Sequence, residues 1–358
     1  MTPPDSPKPP EPPPGKPPRR PRYAGTHPRQ FGEKYKERDA ARHPEEVAKV
    51  IASGKTPAGA HRPIMVREVL KALAPKPGDV GVDATLGSGG HALELLRLVA
   101  PSGRLIGLDT DPFELPRAEA RIREAGFGDE AFAAVHSNFA ALPKVLAARG
   151  IDGANFVLAD LGCSSMQLDD PSRGFSYKND GPLDLRMNPT RGLSAAELIA
   201  KLSAEEIEEM LRESADEPRA RAISVAIVAA REKKPLRTTA QLSAAVSAGM
   251  LRGADARASL ARIFQALRIA VNEEYATLDA FLRALPYCVA PGGRVAILSF
   301  HSGEDRRVKQ SFRDGERAGL YDEVAKDVIR PSREEIGANP RASSAKLRWA
   351  RLPPPPEA

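Results

Sequence analysis

From His61 onward the apolar positions recur at helical spacing as far as Leu73, and Pro75-Lys-Pro-Gly78 then breaks the run. A short strand over Val80–Ala84 is predicted next, running into the loop Thr85-Leu-Gly87-Ser-Gly89-Gly90-His91. Leu93, Leu96 and Val99 mark one face of a following helix. A Pro-Ser-Gly turn leads to a second strand, Arg104–Leu108, which closes on Asp109. Strand, crossover helix and strand make a βαβ unit, and the right-handed crossover rule puts both strands parallel in one sheet. Ala118 and Ile122 lie in a second helix, a third strand falls near Phe132–Val135, and after another helix a fourth strand runs from Asn155 to Ala159 and ends at Asp160.

Between about Met166 and Ser259 the alternating pattern disappears. Ser194-x-x-Glu197, Ser203-x-x-Glu206 and Thr238-x-x-Gln241 read as capping boxes that start helices. Ile199, Leu202, Ile207, Met210 and Leu211 would form one apolar face, and Ile223, Ile227 and Ala230 another. The α/β pattern then returns with a helix through Leu267, Val271 and Leu278, the turn Ala290-Pro-Gly-Gly-Arg294 and a strand over Val295–Phe300. The expected architecture is an α/β, mostly parallel, Rossmann-like core in two pieces, residues 58–165 and 260–352. A helical insertion over 166–259 separates them, and a short tail covers 353–358.

Composition changes this picture mainly at one end. Residues 1–57 form a basic tail whose first part is roughly half proline, too poor in apolar surface to offset the entropy of ordering. The net charge of +6 suits a polyanionic partner without identifying one. Cys163 and Cys288 stand far apart, with neither zinc nor disulfide spacing. With no membrane-length apolar run and no leader pattern, a cytoplasmic protein is expected.

The candidate chemistry gathers where strands end. A strand ending in Asp83 followed by glycines lets backbone approach a ligand closely at a helix N-terminus. The absence of a following lysine argues against a triphosphate, and the spacing Gly87, Gly89, Gly90 misses the G-x-G-x-x-G of dinucleotide folds. Asp109, about 20 residues on, is placed to accept both hydroxyls of a ribose, with Asp111 the neighbour that caps the next helix. That arrangement serves nicotinamide enzymes and methyltransferases alike. The fourth strand bears on the choice: Asp160, Ser164 and Ser165 would face the cofactor at the switch point of the sheet, where carboxylate or hydroxyl oxygens could accept the N–H groups of a weakly nucleophilic amine. His301 falls on the same edge, open to RNA contact or to structural hydrogen bonding. Arg173, Arg186, Arg268, Arg306, Lys309 and Arg341 would line an anionic cleft if their loops converge, and a scattered solvated surface if they do not.

These segments also carry a resemblance. His61-Arg-Pro-Ile-Met-Val-Arg-Glu68, Asp83 to His91, Asp160-Leu-Gly-Cys-Ser-Ser-Met-Gln-Leu-Asp169, Arg173-Gly-Phe-Ser-Tyr177, Asp180-Gly-Pro-Leu-Asp-Leu-Arg-Met187, Phe264 to Asn272, Ser299-Phe-His-Ser-Gly-Glu-Asp-Arg306 and Asn339 to Arg348 closely resemble the bacterial 16S rRNA cytosine-N4 methyltransferases, the RsmH or MraW family. The resemblance runs from about His61 to Arg351. It implies a class I methyltransferase fold, S-adenosylmethionine as cofactor, and 16S rRNA in the assembled small ribosomal subunit as partner. Neither membrane nor metal is implied, and oligomeric state is left open, a homodimer included. It further implies donor contacts from Gly89, Gly90 and His91 to the methionine part, Asp109 to the ribose, Phe139 to the adenine region, and Asp160 and Gln167 to the remainder. From the residues alone, Phe139 fits an adenine wall or a core position equally. The chain departs from the family pattern at Cys163, where valine is usual, at Gly303, where leucine is usual, and at Ser214-Ala-Asp-Glu-Pro218, where Tyr-Gly-Glu-Glu is typical.

Overall fold

The computed structural model describes residues 63–250 and 256–356. The proline-rich tail, His61 and Arg62, and the last two residues of the expected C-terminal tail lie outside the described residues. Helix α1 (Val66–Leu73) precedes the alternation β1 (Val80–Asp83), α2 (Gly90–Val99), β2 (Arg104–Asp109), α3 (Glu114–Glu124), β3 (Phe132–His136), α4 (Leu142–Ala147) and β4 (Ala154–Asp160). A short helix, α5 (Ser165–Asp169), follows the fourth strand. The helical part comprises α6 (Ala195–Lys201), α7 (Ala204–Ala215), α8 (Ala220–Lys233), α9 (Thr239–Ala248) and α10 (Ala256–Val271). Then come α11 (Glu274–Ala284), β5 (Val289–Ser299), α12 (Ser302–Arg317), β6 (Glu323–Val324), α13 (Arg333–Ala338) and β7 (Lys346–Arg351).

The strands form one seven-stranded sheet in the order β3-β2-β1-β4-β5-β7-β6. The first five are parallel, while β7 runs antiparallel to both β5 and β6. Two apolar clusters cover its faces. One joins Val82, Leu108 and Val157 to Leu142, Phe281 and Phe312; the other joins Leu105, Phe156 and Leu158 to Val69, Leu95 and Ile122. Buried on both sides, the central strands read as near-continuous apolar runs, as parallel strands must.

Within this packing Gly81 has a specific role. A Cβ there would stand 2.0 Å from the ring of Phe156 on the neighbouring strand, so the hydrogen is what lets the ring lie flat over β1.

The helical part builds a third cluster of its own. Ile199, Ile207, Leu211, Ile223 and Ile227 are buried in it, with Leu202, Met210 and Ala230 packed at its margin, as their periodicity predicts. All three expected capping boxes form, at Ser194, Ser203 and Thr238. Leu260, Ile263, Phe264 and Leu267 of α10 belong to the same cluster, so a division at 259/260 falls inside one continuous helix. Strands β6 and β7 were not expected: β6 has two residues, and β7, Lys-Leu-Arg-Trp-Ala-Arg, alternates polar and apolar over only its first four positions.

Gly81→Ala is expected to lower unfolding stability by about 1–3 kcal/mol through overpacking against Phe156. Urea denaturation measures it, and Phe156→Leu in the same chain should restore part of the loss.

Candidate active site

Because β1 lies between β2 and β4, the carboxyl ends of the three strands bring Asp109, Asp83 and Asp160 side by side. The loop after β1 is bonded to both neighbours: Ala84 N–H donates to the Leu158 carbonyl at 2.8 Å and Leu86 N–H to that of Leu108 at 2.7 Å. Gly87 N–H then reaches Asp109 Oδ2 at 2.7 Å, while Thr85 Oγ1 accepts from Asp160 N–H at 2.6 Å. The glycine loop and the end of β4 therefore meet on one edge of the sheet. Gly87 (φ 51°) and Gly89 (φ 79°) occupy left-handed conformations that favour glycine, and Gly89 leads directly into α2.

Burial dominates the electrostatics of this edge. It pushes Asp83 up to about 7, against a lowering bond from Thr85 and with added repulsion from Asp109. Asp109 rises to about 6 through burial, offset by the backbone N–H groups of Asp111 and Gly87. Asp160 reaches about 8, raised by burial and then by Asp83 and Glu304. Its Oδ2 lies 3.5 Å from His91 Nδ1, and its Oδ1 is buried with no hydrogen-bond partner among the described residues. His91 Nε2 faces the Ile64 carbonyl at 2.9 Å; a carbonyl only accepts, so that nitrogen carries the proton and a neutral ring turns its Nδ1 lone pair toward Asp160. Acid groups held this far above their ordinary range favour either a proton or a cationic guest.

Other predicted site residues turn out to be engaged inside the fold. Ser164 is the N-cap of α5, accepting from Gln167 N–H at 3.2 Å, and Ser165 is that helix's first residue. Gln167 is buried with both amide atoms used: Oε1 accepts from Ser164 N–H at 2.9 Å, and Nε2 donates to Asp111 Oδ2 at 2.9 Å. Phe139 sits just past β3, edge-on to Phe281 with centroids 5.2 Å apart. Arg173 pairs with Asp111, Arg186 with Asp184, Arg268 with Glu274 and Arg341 with Asp169. Four of the arginines that could line an anionic cleft thus also face carboxylates of this chain, which satisfies part of their hydrogen-bonding capacity locally. Arg306 is exposed on α12, with Lys309 half-buried one turn on.

His301 is engaged on one side: its Nδ1 accepts from Glu304 N–H at 3.4 Å, while its buried Nε2, 3.2 Å from Glu304 Oε1, makes no hydrogen bond among the described residues, and its side chain is 10% exposed. Glu274, His301 and Glu304 bring ligand-type atoms within 4.8 Å of one another, yet both oxygens of Glu274 are already held by Arg268, a fixed positive charge against any cation. Arg268 also donates to Cys163 Sγ at 3.3 Å, while burial pushes that thiol up.

Of the departures from the family pattern, Gly303 has a steric account. A Cβ there would stand 2.0 Å from the Tyr275 hydroxyl, which donates to the Ser214 carbonyl at 3.3 Å. In the altered segment Glu217 is buried against Arg262 at 2.6 Å and the Ser259 hydroxyl at 3.1 Å. Sequence reasoning gave no role to Glu304, whose partners Phe300 and His301 are close in the chain, and missed the Glu217–Arg262 and Asp111–Arg173 pairs, whose members lie 45 and 62 residues apart with no local pattern to signal them.

A parallel sheet in this order, closed by one antiparallel strand, with acids at the ends of β1, β2 and β4, defines a Rossmann-like methyltransferase of class I. The chain belongs to the MraW methylase family, whose model matches residues 58–352. It is 49% identical to the ribosomal RNA small subunit methyltransferase H 1 of Lachnoclostridium phytofermentans, over 93% of this chain and 92% of that protein. It is 50% identical to methyltransferase H 2 of Alkaliphilus metalliredigens, over 93% and 97% of the two chains. With methyltransferase H of Sorangium cellulosum the identity is 44%, over 81% and 90%. Membership in a methylase family sets aside the nicotinamide reading of the glycine loop. Among the described residues no helix is long and apolar enough to cross a membrane.

The raised carboxyls make stability depend on pH. Asp160 and Asp83 bind their protons more tightly folded than unfolded, so their contribution is complete below the ordinary 3.8 and is lost as pH rises through about 7 to 8. Without donor, Asp160→Asn should remove part of that loss: urea midpoints are expected to lie above the parent's at about pH 9 and to converge with it near about pH 4.

Proposed function

We propose that the protein transfers the methyl group of S-adenosylmethionine to the exocyclic N4 amine of a cytidine in the decoding centre of 16S rRNA, on the assembled small subunit in the cytoplasm. The relatives named as small-subunit ribosomal RNA methyltransferases support the substrate class. The observation that carries the site is the bonding of the glycine loop to Asp109 on one side and to the backbone of Asp160 on the other.

The residues fit this donor. A cluster of carboxyl groups with raised proton affinity, Asp83 buried and Asp109 and Asp160 part-buried, one of them with an unpartnered oxygen, suits a cationic ligand. S-adenosylmethionine supplies a methyl group already activated on a sulfonium, so orientation of the acceptor carries most of the remaining rate. Gly87, Gly89 and Gly90 let backbone approach the methionine part. Asp109, whose two oxygens each take one backbone N–H, keeps lone pairs for ribose hydroxyls. Phe139 offers an apolar edge to adenine.

Asp160 accepts the N–H groups of the cytosine amine, favouring the pyramidal nitrogen whose lone pair is free to attack. The Ser164 hydroxyl keeps its proton to donate, since the cap uses only its oxygen. Gln167 and His91 hold the edge in shape rather than grip the donor. The helical insertion recognises RNA, and Arg306 and Arg341, outside it, are the exposed cations of the set.

Asp160→Ala should lower the methylation rate on unmethylated small subunits by about 10²–10³, with an unchanged circular dichroism spectrum. Full activity in that variant would remove Asp160 from the chemistry. In a deletion strain, nucleoside mass spectrometry of 16S rRNA should lose N4-methylcytidine, and an unchanged profile would refute the substrate.

A further inference from the structure

The donor edge and the start of the helical part are joined by an unbroken run of side-chain hydrogen bonds. Asp109 takes Gly87 N–H on Oδ2 and Asp111 N–H on Oδ1, the latter at 2.8 Å. Asp111 is fully buried; its Oδ1 accepts from Phe113 N–H at 2.9 Å, and its Oδ2 takes Gln167 Nε2 and an Arg173 guanidinium nitrogen, both at 2.9 Å. The other terminal nitrogen of Arg173 donates to the carbonyls of Arg186 at 3.1 Å and Met187 at 2.9 Å, and its own carbonyl accepts from Leu185 N–H at 3.1 Å. Phe113 and Phe175 each place a ring within 6 Å of the same guanidinium.

The segment reached in this way is strained. Leu185 is a buried, branched residue with φ 62°, a conformation that persists only where surrounding bonds over-determine it. The ties that hold it come from two directions. Asn272, just past the end of α10, accepts from Met187 N–H at 2.7 Å and donates to the Leu185 carbonyl at 2.8 Å. Arg173 supplies the second and leads to Asp111 and the end of β2, whereas Asn272 leads through the Arg268 carbonyl, at 2.8 Å, and the Arg268 bond to Cys163 toward the end of β4.

We propose that Arg173 is a positioning residue: through Asp111 it ties the loop Asp184–Met187, which precedes the first long run of helices, to the donor-binding end of β2, so that donor binding orders that loop. The inference rests on the donor site proposed above. One guanidinium does both jobs because its separate nitrogens meet a carboxylate and two carbonyls at once, which a lysine ammonium cannot do in the same geometry. Bound donor fixes Asp109, Asp109 fixes the turn carrying Asp111, and Asp111 fixes Arg173. By reciprocity, an acceptor that settles on the ordered loop binds more tightly to the donor-loaded protein.

Hydrogen exchange with mass spectrometry on the full chain, with and without saturating S-adenosylhomocysteine, tests this without turnover. In the parent protein the ligand should slow exchange in peptides covering 183–188 about fivefold or more, alongside protection of Gly87–His91. In Arg173→Gln the protection of Gly87–His91 should remain and that of 183–188 should vanish. In Asn272→Ala the loop should exchange faster overall yet still respond to ligand.

If Arg173→Gln does not fold, Arg173→Lys, which can keep the bond to Asp111 but not both carbonyls, should show the same loss. A parent protein protected at Gly87–His91 but not at 183–188 would overturn the inference. So would loop protection that survives in a folded Arg173 variant. Absence of protection at both segments would overturn the donor site itself, and this inference with it.

Discussion

Asp83, Asp109 and Asp160 end three adjacent parallel strands, so the sheet forces three carboxyl groups together at an edge where little water reaches them. Parallel pairing leaves no freedom here: the register that pairs Asp83 with Gly107 on one side and Leu158 on the other fixes where the acids stand. Their mutual repulsion is relieved in part by backbone N–H groups, from Thr85 to Asp83 and from Gly87 and Asp111 to Asp109. Asp160 has the least relief, with a buried oxygen left unbonded. An edge with that imbalance is stabilised by positive charge. The position of the acids is thus a property of the sheet, and the preference for a cationic guest follows from the position.

The helical part faces a different constraint. It has its own apolar cluster, so its attachment to the sheet must be set by something more specific than burial. The attachments include bonds between charged or polar groups with little access to water: Arg173 with Asp111, Asn272 with Leu185 and Met187, and Arg268 with Glu274 and Cys163. Pairs of this kind add little net stability, because desolvating the charges offsets most of their attraction. Their geometry is demanding, however, and a displaced helix would leave several buried charges unpaired at once.

Much of the fold was legible because its signals are local. The glycine loop, the acids closing β1, β2 and β4, and the three capping boxes each depend on residues within a few positions of one another, and each stands where the pattern put it. The late strands β6 and β7 were not legible, since β7 takes its place only by antiparallel pairing with a strand some 50 residues earlier. The partners of the arginines were only partly legible: Asp184 and Glu274 lie two and six residues from Arg186 and Arg268, whereas Arg173 and Asp111 lie 62 residues apart. Gln167 drew notice by its motif alone, while the cap it closes and the Asp111 carboxylate it meets, 56 residues away, were not legible.

The contrast between Asp109 and Asp111 shows how one turn separates two functions of the same chemical group. Both are carboxylates at the end of β2, two residues apart, and the backbone N–H of the second is bonded to the side chain of the first. Asp111 is inside, where a guanidinium, an amide and two backbone N–H groups saturate it, so its charge is neutralised within the protein. Asp109 receives only two backbone bonds and keeps its remaining lone pairs toward the edge. Had the arginine reached Asp109 instead, the edge would hold a satisfied ion pair and offer nothing to a ribose. Placing the cation one turn further in leaves the outer carboxylate available and anchors the loop beneath it, so the strength of the inner pair is what allows the outer group to remain unsatisfied.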